Sequence, residues 1–244
     1  MNRFYYDLHT HSCLSPCADG DNTPNNLAGM ASISGLNIVA LTDHNSAKNC
    51  PAFFKAAERN GIIPIAGMEL TTSEDIHVVC LFEELSDALE FDKMLQQYRT
   101  LIKNRKDIFG EQQIMNELDE VVAEEEYLLP LATSVSVEDV QDLVKYYKGV
   151  CYPAHIDRDS NGIISILGTL PESLHFSFVE LKDSGNIPAF SDKYGITDKK
   201  IIISSDAHYL TDIRDCESFF ELEASADNPK EVVKQLFTYL RSDL

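Results

Sequence analysis

Strand-like and helical segments alternate along most of this chain, and this alternation limits the possible folds more than any other feature. Runs rich in β-branched and aliphatic residues predict eight strands, at 4–11, 37–42, 62–68, 76–82, 149–155, 176–181, 200–205 and 219–223. Helical patterns separate several of these runs. Strand and helix in repeated succession predict a parallel sheet with helices packed outside it.

Several predicted helices have recognisable ends. Thr23 before Pro24 is a typical N-cap and first-turn pair, and that helix is predicted to end at Gly35. The pattern Ser136 with Asp139 resembles a capping box that begins a helix ending near 149. Further helices are predicted over 51–60, over 229–240 after an Asn228 cap, and over a long stretch at 86–106.

One segment departs from the repeat. Residues 112–129 contain an acidic cluster and predict a hairpin or excursion with a solvated face. The sequence shows no internal repeat and no clear linker, so we expect residues 1–244 to form a single domain with this excursion. The oligomeric state stays open.

The composition limits which binding partners and which cellular compartment are expected. Twenty basic residues against 40 acidic residues give a formal net charge of -20, which opposes long-range capture of a polyanion such as duplex DNA. No signal-like leader and no apolar stretch of about 18 residues is present, so a cytoplasmic protein without membrane association is expected. The six cysteines predict reduced thiols; Cys13 and Cys17, with Cys50, remain candidates for a zinc or redox site.

Polar residues capable of binding metal collect at the predicted strand ends. In "DLHTHS" the period of a strand places Asp7, His9 and His11 on one face. Six of the seven histidines lie at or beside strand ends, and so do several carboxylates. Because the strands of a parallel barrel end at one face, these side chains are expected to meet there. The donors are His9, His11, His44, Glu69, His77, His155, Asp206 and His208.

This donor set predicts a centre with more than one ion. Imidazoles and carboxylates together favour zinc, iron or manganese, whereas Mg²⁺ favours oxygen-rich sites. Eight donors exceed what one tetrahedral ion uses, so two or three divalent ions with a bridging carboxylate are expected. Each motif alone has a simpler interpretation, since a strand histidine can belong to the core and an Asp-His pair can cap a helix. Their occurrence at successive strand ends favours the metal interpretation.

The motifs, in their order, resemble the PHP (polymerase and histidinol phosphatase) superfamily. The matching elements are "DLHTHS", "TDHN", "GMEL", the histidine of "IHVVCLF", "PAHIDR" and "SSDAH", which extend from Asp7 to His208. The resemblance implies a distorted (β/α)7 TIM-like barrel with a trinuclear metal site at the C-terminal face of its strands. It also implies phosphoester hydrolysis by a metal-bound hydroxide.

The resemblance also implies how the ligands are shared among the ions. The first ion would be held by His9, His11, Glu69 and Asp206; the second by Glu69 as a bridge with His77 and His155; the third by His44 and His208. Many family members add a ligand in a short Ser-Asp-Gly sequence after the first motif. This chain has "SPCADGD" there, so Asp19 is the candidate and Asp21 the reserve.

Three further residues are predicted to act without binding metal. Arg158 is the candidate phosphate clamp, because a guanidinium binds phosphate oxygens in a bidentate manner; its alternative is a surface pair with Asp157 or Asp159. Asp7 and Asp43 are expected to accept hydrogen bonds that orient ligand imidazoles, or to help move protons. His175 is expected to be structural or exposed, and Lys48 could reach substrate or lie on the following helix.

The leading functional hypothesis is a metal-dependent phosphoesterase that acts on a small phosphorylated molecule, such as a nucleotide or metabolite. No binding of duplex nucleic acid is expected, because the chain is acidic and lacks a basic groove with aromatic residues. The alternatives are trimming of short oligonucleotides, a non-catalytic binding module stabilised by metal, and a related barrel hydrolase acting on carbon-nitrogen or carbon-oxygen bonds.

Overall fold

Ten strands and eight α-helices form the chain in the computed structural model, which describes residues 1–242. The strands are β1 Asn2–Thr10, β2 Ile38–Leu41, β3 Ile63–Thr71, β4 His77–Phe82, β5 Gln113–Met115, β6 Val121–Glu124, β7 Gly149–Pro153, β8 Phe178–Leu181, β9 Lys200–Ile203 and β10 Phe219–Leu222. The α-helices are α1 Pro24–Ile33, α2 Cys50–Arg59, α3 Leu85–Leu95, α4 Lys106–Phe109, α5 Val140–Tyr146, α6 Ile163–Leu167, α7 Ile187–Tyr194 and α8 Pro229–Leu240.

The main sheet has six strands in the order β10-β1-β2-β3-β4-β7. Strands β1, β2 and β3 are parallel to one another, whereas β4 is antiparallel to both β3 and β7, and β10 is antiparallel to β1. The expectation of an all-parallel sheet is therefore wrong. The register of β1 against β2 shifts between Asp7 and Thr10, which alters the regular alternation of faces just before the histidine motif ends.

Strands β8 and β9 form a separate parallel pair between the two sides of the curled main sheet. On one side Ile156 N donates to Glu180 O at 2.8 Å, and on the other His11 N donates to Ala207 O at 3.0 Å. The predicted α/β class is confirmed. A complete (β/α)7 barrel is not formed by the regular strand ladders that the structure describes in residues 1–242.

The reversal of β4 has a local cause. Only five residues connect β3 to β4, and Thr72 N donates to Ile76 O at 2.8 Å to close the turn. Asp75 lies in this turn at φ 63°, a left-handed conformation that Asp tolerates better than most residues. A parallel connection needs a dozen or more residues, so a turn of this length requires antiparallel pairing. His77, the first residue of β4, consequently lies at the edge where β3 ends.

Two hydrophobic clusters flank the sheet. One contains Leu8, Ile38, Ile65 and Tyr152 from the strands and is covered by apolar residues of α8. The other packs the opposite side of the strands against α1, α2, α3 and α5, with Phe53 and Phe91 among its fully buried side chains. Burial on both sides explains why several strands are continuously apolar, and it fixes the strand ends that carry the polar residues.

The predicted helix ends are partly correct. The side chain of Thr23 accepts from Asn26 N, and that of Asn228 accepts from Glu231 N, as the capping patterns predict. Ser136 is not the N-cap, because α5 begins at Val140; Ser136 and Asp139 bond to each other one turn earlier. The predicted helix over 86–106 is wrong beyond Leu95, where a 3₁₀ turn at Gln96–Tyr98 ends it.

The excursion at 112–129 contains a short antiparallel hairpin of β5 and β6, as predicted. All four residues of β6 are exposed. The hairpin is also attached to the body of the fold, because Asp119 accepts from Thr23 and Asn25, and Lys48 pairs with Glu125. Lys48 is thereby held away from the polar strand ends. Within residues 1–242, none of the helices has both the length and the apolar character that crossing a bilayer requires.

Candidate metal centre

Glu69 of β3 lies at the centre of the polar residues and contacts five imidazoles. Its Oε1 is 2.7 Å from His77 Nδ1, 3.0 Å from His155 Nε2 and 3.3 Å from His9 Nε2. Its Oε2 is 2.9 Å from His44 Nδ1 and 3.5 Å from His11 Nε2. The carboxylate is 1% exposed, so these rings, and not water, surround it. This arrangement suits a carboxylate that bridges cations.

The donor atoms form three overlapping groups within residues 1–242. The first group is His9, His11, Glu69 and Asp206; the second is His44, Glu69 and His77; the third is His11, His44 and His208. The ligand atoms of each group lie within 4.8 Å of one another. His155 contacts Glu69 but belongs to none of these groups, and His44 joins both the second and the third. The predicted donors therefore meet in one place, although they are shared differently from the predicted scheme.

Burial and the charges of neighbouring residues shift the pKa values of these side chains in opposite directions. Burial disfavours the Glu69 carboxylate, but the charges of His77, His9 and His44 hold the pKa of Glu69 well below its usual range. Burial likewise opposes protonation of His44, yet Glu69 and Cys17 raise the pKa of His44 to about 10. The raised pKa of His9 and His44 favours protons that partly balance the carboxylates, whereas burial lowers the pKa of His11 and His77. A divalent cation would take over this role and displace the protons.

The polar atoms without hydrogen bonds are the observation that tests whether cations fit. Glu69 Oε2, Asp206 Oδ1, His44 Nδ1 and His77 Nδ1 are buried and make no hydrogen bond of normal geometry in the described residues; their polar neighbours within 3.5 Å are other ligand atoms of the same centre. Leaving buried polar atoms unpaired costs about 1–3 kcal/mol each, so native proteins rarely do so. All four belong to the groups defined above. Cations bound among them would satisfy these atoms, and the donor set therefore fits a metal site.

Two residues of the centre, His155 and Asp206, also have unusual backbone conformations. His155 has φ 27° and Asp206 has φ 51°, in the left-handed region that non-glycine residues seldom adopt. His155 N is held by Glu180 Oε1 at 3.0 Å, and Asp206 O accepts from His208 Nδ1 at 2.9 Å. Such strain collects at functional sites when surrounding contacts enforce it.

Glu180 is a residue of the candidate centre that the sequence analysis missed. Its Oε1 lies 2.9 Å from His9 Nδ1, so it fixes the His9 ring with Nε2 turned toward Glu69. The side chain is 1% exposed and lies in the apolar strand β8. A glutamate within an otherwise apolar strand was the available signal, because a buried charge needs a specific partner.

Asp7 and Asp43 lie where they were expected, but neither contacts an imidazole directly. Asp7 Oδ1 accepts from the backbone of His9 and Ser205 at 3.3 Å and 3.1 Å. Asp43 Oδ1 accepts from Ser15 Oγ at 2.7 Å, and Ser15 Oγ lies 3.0 Å from His11 Nδ1. Burial raises the pKa of both carboxyl groups. Asp43 therefore acts on His11 through Ser15, and Asp7 holds backbone.

The candidate phosphate clamp lies at the rim of the centre. Arg158 Nη1 donates to Asp206 Oδ2 and does not pair with Asp157 or Asp159. Lys182, which was not predicted, lies 3.7 Å from the same oxygen. Asp19 and Asp21 are not in the donor groups, since Asp19 Oδ1 accepts from Asp21 N at 2.8 Å and Asp21 is exposed. His175 is exposed and remote from the centre.

The three cysteines considered together are separated. Cys13 and Cys50 are buried, and Cys50 Sγ donates to the carbonyls of Leu41 and Gly67 at 3.7 Å each. Cys17 is exposed, and its Sγ is 3.2 Å from His44 Nε2. All six thiols are free in the described chain.

We expect Glu180→Gln to weaken metal binding by about 10–100-fold, because second-sphere partners of ligating histidines contribute that much to affinity. Titration of the metal-free protein with Mn²⁺ measures the change. Glu172→Gln is the matched control, because Glu172 is exposed and outside the centre. Equal affinity in the parent and Glu180→Gln would contradict the orienting role of Glu180.

Comparison with known proteins agrees with the motif pattern. Residues 7–157 match the PHP domain family. The chain is 34% identical over 104 residues to the 5'-3' exoribonuclease of Haemophilus influenzae, a match that covers 41% of this chain and 34% of the relative. The chain thus spans about a third of the length of this relative.

Solved structures share the fold. Endonuclease Q from Pyrococcus furiosus, described as a lesion-specific endonuclease, has a TM-score of 0.66 at 17% identity, covering 96% of this chain and 56% of that chain. A second structure holds endonuclease Q with a 27-mer duplex substrate bearing an abasic lesion at the active site. It has a TM-score of 0.65 at 18% identity, covering 96% and 57% of the two chains.

These relatives overturn one prediction. A small phosphorylated substrate and no binding of duplex nucleic acid were expected, but the relatives are named for action on RNA or are solved with DNA. The expectation failed because it was drawn from the charge of the whole chain, whereas binding to a phosphate depends on the few side chains around the site. By contrast, the prediction of a phosphoric ester hydrolase is confirmed at the level of enzyme class.

The family match includes most of the residues that form the buried centre, from "DLHTHS" to "PAHID", and extends over more than half of the chain. Asp206 and His208 lie beyond its end and join the same donor groups in the folded structure. The sequence and the fold therefore agree that this chain belongs to the PHP domain family.

Proposed function

We propose that this chain hydrolyses phosphodiester bonds at an end of short nucleic-acid strands. One observation carries the proposal: two cationic side chains lie at the rim of a buried centre that fits divalent cations. Arg158 and Lys182 are 40% and 42% exposed, and both reach Asp206 Oδ2. A phosphate at this rim can be bound by cationic groups on one side and face the donor groups on the other.

Asp206 connects the two parts of the site. Its Oδ1 lies 3.4 Å from His11 Nε2, within the first group, and its Oδ2 accepts from Arg158. The Arg158 guanidinium is thus held beside Asp206, a residue of the first group. When bound, divalent cations in such a centre lower the pKa of water and offset charge on phosphate oxygens. Arg158 and Lys182 contribute binding and orientation of the phosphate.

The choice of a short strand follows from charge and from the relatives. A net charge of -20 repels a long polyanion at distance, so binding must depend on local contacts with few phosphates. The exoribonuclease and endonuclease Q relatives support nucleic acid as the substrate class. The family assignment supports hydrolysis of a phosphoester.

Labelled oligonucleotides test this proposal. Hexamers of RNA and DNA carrying a label at either end are incubated with protein and Mn²⁺, and the products are separated by length. We expect stepwise shortening from one end and no cleavage of a circular strand of the same composition. Cleavage of the circle, or intact hexamers under conditions in which an aryl phosphate is hydrolysed, would contradict the proposal.

We expect Arg158→Ala to raise KM for the hexamer by about 10-fold, since a charge-assisted contact to phosphate contributes roughly 1.5–3 kcal/mol at most. Arg158→Lys should recover part of the loss, because lysine keeps the charge but loses the bidentate geometry. Arg105→Ala is the control, since exposed Arg105 pairs with Asp107 on the surface. An unchanged KM in Arg158→Ala would remove Arg158 from substrate binding.

A further inference from the structure

The loop after the first histidine motif brings a thiol to the third group. Ala18 N donates to Ser15 O, and Asp19 N donates to the carbonyl of His208, each at 2.9 Å. These bonds fix the backbone on the C-terminal side of Cys17 against the segment that carries His208. As a result, Cys17 Sγ lies 3.2 Å from His44 Nε2.

His11 can bind a cation in only one of the two groups to which it belongs. Its Nδ1 contacts Ser15 Oγ, so only Nε2 is available, and this atom lies 3.1 Å from His9 Nε2 and 3.4 Å from Asp206 Oδ1. One ring nitrogen has one lone pair to give to a cation. With His11 used in the first group, His44 and His208 provide two imidazoles, whereas zinc-type sites use three or four protein ligands.

The third group contains imidazole donors that lie beside the cysteine. The ring nitrogens of His11, His44 and His208 lie within 4.8 Å of one another. The side chain of His44 is 5% exposed; its Nδ1 lies 2.9 Å from Glu69 Oε2, so Nε2, which lies 3.2 Å from Cys17 Sγ, is the atom directed toward the thiol. Ring nitrogens this close together are lone-pair donors that one cation can share.

The carboxylates expected to complete this group are directed elsewhere. Asp19 Oδ1 accepts from Asp21 N at 2.8 Å, which closes the loop that follows Cys17. Asp21 is exposed. Neither carboxylate belongs to a donor group among the described residues, and neither does Cys17, but Cys17 Sγ is 3.2 Å from His44 Nε2. The sulfur is therefore the donor that the loop presents to His44.

We propose that Cys17 supplies a sulfur ligand to a divalent cation held with His44 and His208. This inference rests on the metal centre of the proposed function but not on its nucleic-acid substrate. In the binding step the S–H bond breaks, the proton goes to water, and a sulfur lone pair forms the bond to the cation. A thiolate beside imidazoles favours zinc or iron(II) over Mg²⁺ and Mn²⁺ at this position.

X-ray absorption at the zinc edge tests the sulfur ligand directly. In the zinc-loaded protein we expect a sulfur shell at about 2.3 Å in addition to nitrogen and oxygen neighbours at about 2.0–2.2 Å. Cys17→Ala should lose the sulfur shell and one bound zinc per chain. Cys17→Asp should regain the ion without the shell. Cys216→Ala, which removes the other exposed cysteine, should keep both the shell and the ion.

Alkylation provides a second measurement. Cys17 and Cys216 are both exposed, so iodoacetamide should modify both in the metal-free protein. Zinc should protect Cys17 and leave the modification of Cys216 unchanged, as read by peptide mass spectrometry. Equal modification of Cys17 with and without zinc would overturn the inference.

The outcomes separate this inference from the proposed function. A fully zinc-loaded parent without a sulfur shell, or a shell that persists in Cys17→Ala, overturns the sulfur ligand whatever the activity. A parent that binds no zinc overturns both the sulfur ligand and the metal centre. A sulfur shell in a protein that leaves oligonucleotides intact supports the ligand and contradicts the nucleic-acid substrate.

Discussion

Glu69→Gln should lower metal-dependent hydrolysis by roughly 10³-fold, the largest loss expected from any single substitution in this chain. The Glu69 carboxylate contacts five imidazoles and belongs to both the first and second groups. An amide keeps the size of the side chain but loses the negative charge and one of the two acceptor oxygens, so it cannot bridge cations. The rate with a labelled hexamer and Mn²⁺ measures the effect.

The control for this substitution is Glu223→Gln, because Glu223 is an exposed glutamate just after β10. It should keep the parent rate. Metal analysis of Glu69→Gln should show fewer ions per chain than the parent, which distinguishes loss of the centre from loss of substrate binding. Hydrolysis by Glu69→Gln within a few-fold of the parent rate would show that the bridging role is wrong.

Metal binding should also raise the melting temperature by about 5–10 °C. A cation at 100 times its dissociation constant stabilises the folded state by about 2.7 kcal/mol, and each kcal/mol shifts the melting temperature of a chain of this size by about 2–4 °C. The structural reason is that the ligand atoms of Glu69, Asp206, His44 and His77 lie together only in the folded protein, so a cation binds the folded state in preference to the unfolded one. Thermal unfolding of chelator-treated protein, with and without added Zn²⁺ or Mn²⁺, measures the shift.

Two histidine variants make this measurement specific. His155→Ala removes an imidazole that contacts Glu69 and should reduce the shift, each variant being compared with its own metal-free form. His175→Ala removes an exposed histidine outside the centre and should keep the full shift. If both variants responded to metal equally, binding would lie elsewhere on the surface.

The sequence could bring the candidate donors together at one edge because strand ends are defined locally. Apolar runs that end in a polar residue identify the edge of a sheet, and parallel strands bring such ends together. His9, His11, His44 and Asp206 meet for this reason. The N-caps at Thr23 and Asn228 were predictable on the same ground, since a cap involves residues only three positions apart.

His77 reached the centre for a reason that the parallel-sheet prediction did not contain. In an all-parallel sheet, the first residue of β4 would lie at the opposite edge from Glu69. The five-residue turn reverses β4 and places His77 Nδ1 2.7 Å from Glu69 Oε1. The short connection between the two strands could be read from the sequence. That β4 pairs directly with β3, and must therefore run antiparallel to it, could not.

The long predicted helix shows how tertiary contacts override a local pattern. The apolar stripe continues past Leu95, yet the chain turns at Gln96–Tyr98 and the side chain of Arg99 bonds to Asn45 O and Asp92. Arg99 is buried with 8% of its side chain exposed, so these partners stabilise it in place of solvent. The hydrophobic periodicity of residues 86–106 does not predict these contacts of Arg99.

The sequence by itself determined which candidate metal-binding residues lie at strand ends, because those patterns depend on neighbours along the chain. Only the tertiary structure decided that Glu180 orients His9, that Asp43 reaches His11 through Ser15, and that Cys17, not Asp19, faces His44. These contacts join segments that are distant in sequence or lie in an irregular loop. The geometry of these contacts depends on how the whole fold packs, and no local sequence pattern predicts it.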